Sequence, residues 1–450
     1  MEHSAQTHLQ RRAFFRFGSA AAAGGGLLAL NTVNAAPADA TTPASLSIPS
    51  WGTTTRSYNE ALDAYNLRPN NLSRWRAART RAAAGLGTGH ITTFLDSITA
   101  TQGVPGVSEP KYANAWYGRL NRMLEASYGR AGSGIVVPWD RWYDKPAEDA
   151  RLTMTGTVTK HTFGPHQLGC IRWLNGGGGN FVEFTDTCTE FVLYMVNGGS
   201  RPRVQVDGGP VKFIAGNPNT DVAQTDYDPE PGYQKTATGS TGQIVTRVPA
   251  GPFAPHTIRI YAPTNNTSYA YLIGIEGRTG AAGIRVSNLA RSGLKMAEFI
   301  RDDSAAYLSG LPTSLDMPKA DLAIMLLGMN DYQAHRDIPT FKANVTTVVQ
   351  RQKSSEAFRA NGDVLLVTCP QPNYSYPIPA DGVLTPPLAE YYTALYEVAD
   401  EQDIPLLDLA NRWKDFATSN ALGYFADPLH PNNLGSEEIA TAIHNVLMAV

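Results

Sequence analysis

The sequence predicts an α/β protein: a doubly wound parallel sheet interrupted by an inserted all-β sandwich or jelly-roll domain. Three observations carry this expectation. Near-continuous apolar runs such as "ADLAIMLLG" (320–328) and "GDVLLVTCP" (362–370) alternate with helical stretches, as strands covered on both faces by crossover helices do. From about Pro138 to Arg278 the texture changes to short period-two runs separated by Gly, Pro, Asn and Asp, among them "NFVEFTDTCTEFVLYMVNGG", "RPRVQVDGG" and "HTIRIYAP". A connection of that length is far longer than an ordinary loop and needs a core of its own.

The elements follow in order. Residues 1–40 read as an export leader: Arg11 and Arg12 precede Phe14 and Phe15, an apolar run spans Gly18 to Leu30, and small-residue sites such as Ala36-Pro37-Ala38 follow. The paired arginines suggest the twin-arginine route and a secreted protein, and the run is too short to span a membrane. Residues 41–70, rich in Thr, Ser and Pro, read as an exposed arm. A helix is expected over 71–85, capped by Asn71, then a buried strand in "HITTFLDS", then a helix over 108–129 with a Trp116, Leu120, Leu124 stripe. The β insert occupies 138–283. The α/β pattern resumes over 284–450: strand "GIRVSNLA", helix "LKMAEFIRDDSAAYLSGL", the two apolar strands with a helix between them, helix "PPLAEYYTALYEVADEQ", strand "IPLLDL" and a last helix from Asn433. The first part of this core is 71–137.

Composition narrows the function. The 450 residues are 42% hydrophobic and 17% charged, with a net charge of −3. That is a globular mix with no field to attract nucleic acid or a membrane surface, and neither is expected as a partner. Of three cysteines, Cys170 and Cys188 lie near each other, and export would permit a disulfide between them; buried thiols are the alternative. No Cys/His spacing matches a zinc site, and neither a metal nor an organic cofactor is implied.

The residues that can carry chemistry fall at strand ends, where ligands bind in open α/β sheets. Ser97 ends the first core strand. A serine nucleophile needs a base, a group to hold that base, and donors for the oxyanion. Among the nine histidines, His430 in "YFADPLHPNNLG" stands just before the last helix with Asp427 three residues earlier, so one turn puts both on the same side. Gly293 in "RSG" allows close backbone approach. Asn330 in "LLGMNDY" ends the central strand with an amide that can donate, and Asp331 beside it reads as a turn cap. No G-x-S-x-G elbow, H-E-x-x-H, P-loop or dinucleotide fingerprint competes.

The blocks "FLDSIT", "NLARSG", "GMND" and "DPLH", in that order, resemble the SGNH/GDSL hydrolase family. The resemblance covers about 71–137 and 284–450 and implies a flavodoxin-like core. Carried over, Ser97 is the nucleophile, the oxyanion donors are the N–H groups of Ser97 and Gly293 plus Asn330, and His430 with Asp427 is the base pair. One residue departs from the family pattern: Leu95 stands where a Gly usually precedes Asp-Ser. The family has members with jelly-roll or carbohydrate-binding-like modules, and Trp173, Tyr194, Tyr227, Tyr233, Tyr261 and Tyr269 of the insert are available to stack on sugars. The expectation is an exported serine esterase that removes small acyl groups, mainly acetyl, from a carbohydrate or cell-wall polymer. A lipase or phospholipase, and a carbohydrate-binding module with a degenerate esterase core, are the alternatives. Oligomeric state is not legible.

Overall fold

The computed structural model describes residues 57–100, 104, 111–140, 145–146, 149–160, 171–174, 179–197, 202–214, 226–227, 242–262, 269–300, 315–355, 361–373 and 386–450. The leader lies outside them. One mixed sheet is made of β1 (Tyr58–Asn59), β2 (Ala64–Tyr65), β3 (Thr88–Leu95), β4 (Gly283–Asn288), β5 (Leu322–Leu327), β6 (Asp363–Thr368) and β7 (Leu406–Leu407). Their order across the sheet is β1-β2-β7-β6-β5-β3-β4. The five strands from β3 to β7 run parallel, and β1 and β2 add to the β7 edge antiparallel. Every residue of β5 and β6 is buried, which is why both read as unbroken apolar runs rather than alternating ones. The order turns between β3 and β5: β4 lies to one side of β3, and β5, β6 and β7 to the other. A crevice forms at such a turning point, outside the carboxyl ends of the strands.

The helices α1 (Ser73–Ala83), α2 (Trp116–Tyr128), α3 (Ile338–Lys353), α4 (Leu388–Glu401) and α5 (Asn433–Met448) each bury one stripe. In α2 it is Trp116, Leu120 and Leu124; in α5 it includes Ile439, Ile443, Val446 and Leu447. Asp337 caps α3 through the Thr340 amide, and Asn432 caps α5 through the amides of Leu434 and Gly435.

Several boundaries differ from the sequence expectation. Asn71 does not cap α1. It lies in a 3₁₀ turn, Pro69–Leu72, and its side chain accepts from the Arg68 amide instead. The helix expected over 108–129 is broken by extended Ala115 into Lys111–Asn114 and α2. Of the next expected helix the described residues are 294–300, and within them the helix begins at Met296 and runs to Ile300. The supposed exposed arm is partly structural: Ala64, Tyr65 and Asn66 are buried, with the Tyr65 hydroxyl on Asp400 and the Asn66 amide on the carbonyls of Ala399 and Ile404. Paired backbone and anchored polar groups hold this segment, and composition alone does not reveal them.

The middle of the chain forms a separate antiparallel sheet. Its spine is the pair Phe181–Asn197 and Gly242–Tyr261, with shorter strands on both sides. The register of the spine shifts between Pro249 and Ala254. Across that shift the inward residues of the first strand change parity, from Val182, Phe184 and Cys188 to Phe191, Leu193 and Met195, yet both sets enter one apolar core. An extra stretch on one strand bends the pair in this way. The opposite face of the second half also matters: Val192, Tyr194, Val245 and Ile273 belong to the core of the mixed sheet.

A buried charge cluster joins the two sheets. Glu276, on the antiparallel strand Tyr269–Arg278, is fully buried. Its Oε1 accepts from the Tyr194 hydroxyl at 2.6 Å and from Arg278 Nε at 2.6 Å, and its Oε2 lies 3.3 Å from Arg285 Nε on β4. Arg285 also reaches His90 Nδ1 of β3 at 3.1 Å. Burial opposes the charge on Glu276, but Arg278, then Arg285, outweigh it and hold the carboxyl well below its usual range. Burial and then Arg285 push the His90 imidazole toward its neutral form. Removing the one carboxylate strands two guanidiniums in low dielectric. Glu276→Ala is therefore expected to cost about 3–5 kcal/mol in denaturant unfolding. A loss under about 1 kcal/mol, the scale of an exposed pair, would show that water already screens the cluster.

Candidate active site

β3 stops abruptly at Leu95, whose φ of 90° lies in the left-handed region. Glycine adopts that region freely, and a leucine there is strained. Leu95 is nonetheless buried in the core. The turn beyond it is closed by Asp96. Asp96 Oδ1 accepts the N–H of Ile98 at 3.1 Å and of Thr99 at 3.3 Å, and its carbonyl accepts from Ala100 at 2.9 Å. This is the local bonding that short carboxylates favour in turns. Asp96 Oδ2 is buried with no hydrogen-bond partner. Burial pushes this carboxyl up to about 7, against the Thr99 amide, the charge of His430 and the Ile98 amide.

Ser97 leaves the strand through this turn and meets His430. The distance from His430 Nε2 to Ser97 Oγ is 2.9 Å, and from His430 Nδ1 to Asp427 Oδ2 it is 2.8 Å. The second contact fixes the ring: Nδ1–H donates to the carboxylate, leaving the Nε2 lone pair for the serine hydroxyl. Asp427 is itself held, since its Oδ1 accepts the amides of Leu429 at 2.8 Å and His430 at 2.7 Å. The loop closes at its base where Ala426 N–H donates to the His430 carbonyl at 2.9 Å. Burial disfavours charge on Asp427, but the hydrogen bond and charge of His430, with the two amides, hold its carboxyl below the ordinary value. His430 is 5% exposed and Ser97 is 7% exposed, so both work largely out of bulk water.

The remaining residues singled out by sequence lie at neighbouring strand ends. Gly293, with φ of 74°, follows β4 in a conformation that suits glycine. Asn330 opens the short helix Met329–Gln333, entered through left-handed Gly328. Its Nδ2 donates to the Leu294 carbonyl at 3.0 Å, and both oxygens of Asp331 accept the Met296 amide, at 3.2 and 3.1 Å. The Asn-Asp pair thus ties the end of β5 to the glycine loop after β4. Burial pushes the Asp331 carboxyl up to about 6. The role of Asp96 was missed at the sequence level, although Asp followed within three residues by Thr is a signal for such a turn. The left-handed φ of Leu95 fits a position where the resembled family usually carries Gly, although leucine itself rarely adopts it.

The aromatic residues of the antiparallel sheet singled out above are not a free platform where they are described. Tyr194 is buried in the Glu276 cluster. The Tyr261 ring lies under Arg203 and its hydroxyl bonds Gln205; Lys212 lies over the Tyr227 ring. Tyr233 and the side chains of Trp173 and Tyr269 lie outside the described residues. Cys188 is a free thiol facing the insert's core, and Cys170 lies outside the described residues. Among the described residues no cluster of His, Cys, Asp and Glu is placed to hold a metal ion, and no helix is long and apolar enough to cross a membrane.

The family model of the GDSL-like lipase/acylhydrolases matches residues 255–437. That stretch contains Gly293, Asn330, Asp427 and His430 but stops short of Ser97, which the fold brings to His430. A search of curated proteins gives no match. Among solved structures, a peptidoglycan O-acetylesterase is similar at 15% identity with a TM-score of 0.59, over 85% of this chain and 97% of that one. An acetyl xylan esterase is similar at 16% identity over 36% of this chain and 80% of that one, with a TM-score of 0.29. A family two carbohydrate esterase from Clostridium thermocellum is similar at 11% identity over 66% and 98%, with a TM-score of 0.26. The first shares the fold; the other two superpose too loosely to carry weight.

The strain at Leu95 makes an unusual stability prediction. Truncating a buried leucine costs about 2–5 kcal/mol, and in a buried strand Ala is normally the better replacement by up to about 1 kcal/mol. At a φ of 90° that preference is offset, because Gly relieves the strain and Ala keeps it. Leu95→Gly is expected to be no less stable than Leu95→Ala in denaturant unfolding. An Ala variant more stable by about 1 kcal/mol or more would show that the turn is not strained.

Proposed function

We propose that this chain, which carries a GDSL-like acylhydrolase domain and is an ester hydrolase, is an exported serine esterase that removes small acyl groups, acetyl above all, from a carbohydrate or cell-wall polymer. One observation carries the mechanism: Asp427, His430 and Ser97 stand in a single hydrogen-bonded line, with 2.8 and 2.9 Å between successive members. Ser97 Oγ attacks the ester carbonyl while His430 Nε2 takes its proton. The carbonyl oxygen becomes an oxyanion, held by the N–H groups of Ser97 and Gly293 and by the Asn330 side chain. One Asn330 N–H is engaged by Leu294, which fixes the amide and leaves the second N–H for the oxyanion. As the intermediate collapses, the C–O bond to the alcohol breaks and His430 returns the proton to the leaving oxygen. Water, deprotonated by His430, then attacks the acyl-enzyme and releases the acid and free Ser97.

The export and substrate parts of the reading rest on other ground. Export rests on the paired arginines and apolar run of residues 1–40. The polymer rests on export together with the fold shared with a peptidoglycan O-acetylesterase, which this chain spans almost in full. In the same reading the parallel strand order is a flavodoxin-like doubly wound sheet, and 138–283 is an inserted β-sandwich or jelly-roll domain beside it.

Hydrolysis of 4-nitrophenyl esters from acetate to dodecanoate, by wild type and Ser97→Ala, tests this. Turnover is expected on acetate to butyrate, falling with longer chains, and Ser97→Ala is expected to lower it by roughly 10⁴–10⁶-fold. A preference for octanoate or longer would favour a lipid esterase instead. No turnover with any ester would favour a binding module with an inactive core.

A further inference from the structure

The segment after β6 leaves the carboxyl end of its strand and runs from near Gly328 to the loop that carries His430. β6 ends at Thr368, and residues 369–373 continue beyond it. At one end of this segment, Cys369 Sγ lies 3.8 Å from where a side chain on Gly328 would begin, just before Asn330. The charge of Asp96 acts on the same thiol. At the other end, the Asn373 N–H donates to the Pro428 carbonyl at 2.8 Å, inside the loop between Asp427 and His430. Gln371 stands midway between these two anchors.

Gln371 is 7% exposed, yet its Oε1 is buried with no hydrogen-bond partner. Asn66 and Gln352 also leave an oxygen unpaired, but each anchors its amide nitrogen on backbone carbonyls. No such anchor exists for Gln371 among the described residues. A buried amide oxygen without a partner weakens the fold, while the Nε2 end of the same amide is not closed off from solvent and stays open to a ligand.

We propose that Gln371 is a substrate-contact residue that sets specificity: its amide hydrogen-bonds a hydroxyl of the sugar that bears the acyl group. This rests on the carbohydrate-esterase reading above. A hydroxyl suits the position because it both donates and accepts, so it satisfies the amide in either orientation of its O and N atoms. A simple aryl acetate has no such hydroxyl and gains nothing from Gln371. A site that hydrogen-bonds its substrate rejects an analogue lacking the group, because the buried partner is then left unpaired.

The test compares wild type with Gln371→Met, which keeps the volume and removes the amide. Substrates are O-acetylated peptidoglycan, acetylated xylan and 4-nitrophenyl acetate, and thermal unfolding is followed in parallel. The variant is expected to lose about tenfold in kcat/KM on the polymer that wild type prefers, the weight of one hydrogen bond. It is expected to stay within about twofold on 4-nitrophenyl acetate and to unfold at a higher temperature, because an unpaired buried amide oxygen is gone. Equal losses on all substrates with a lower unfolding temperature would overturn the proposal, since the amide would then be holding the loop. Unchanged polymer activity would overturn it too. A wild type that cleaves 4-nitrophenyl acetate but neither polymer would refute the carbohydrate reading itself and remove the sugar hydroxyl as the partner of Gln371.

Discussion

A hydrogen bond of 2.9 Å between His430 and Ser97 closes across 333 positions of sequence, and the architecture around it serves that closure. A catalytic dyad misplaced by 1 Å loses most of its value. Neither residue can be held so closely by a flexible connection. Ser97 is held because β3 pairs with a parallel neighbour on each side and ends in a turn that Asp96 ties to its own backbone. His430 is held because Asp427 grips two backbone amides with one oxygen and the ring with the other. Both groups therefore sit on supports that backbone hydrogen bonds hold in place.

The mixed sheet sets the place of this contact. Its order turns beside β3, so the ends of β4 and β5 flank Ser97, and the Asn330-Asp331 pair ties those two ends together. The antiparallel sheet is part of this support. Tyr194 and Val192 enter the same apolar core as β3 and β5, and the Glu276 cluster bonds one sheet to the other through Arg285 on β4. The turn before the nucleophile is strained: Leu95 takes a glycine's conformation at the residue before Asp96, and burial of its side chain offsets the cost.

The sequence was most informative where a physical signal was local or periodic. Parallel strands showed as unbroken apolar runs because β5 and β6 are buried on both faces, and the α2 and α5 stripes showed at helical spacing. Ser97, His430, Asp427, Gly293 and Asn330 could be singled out because each stands at a strand end or before the last helix, in the order that a known family uses, and the structure brings the first three into hydrogen-bonding contact. What was not legible depended on distant partners. Ala64 and Tyr65 pair with an edge strand more than 300 residues away, and no pattern in a Thr-rich arm announces that. Tyr194 stood among the aromatics available to stack on sugars, but its hydroxyl satisfies a carboxylate on another strand. Gln371 carried no signal at all, because an unpaired amide is visible only once everything around it is placed.

The most direct test is to catch the covalent intermediate. Turnover of 4-nitrophenyl acetate is stopped with acid within the first cycle, and the protein is digested and mapped by mass spectrometry. The account predicts an acetyl ester on the peptide containing Ser97, absent when Ser97→Ala is treated in the same way. An acetyl group on a different side chain, or steady turnover with no acylated residue, would contradict it.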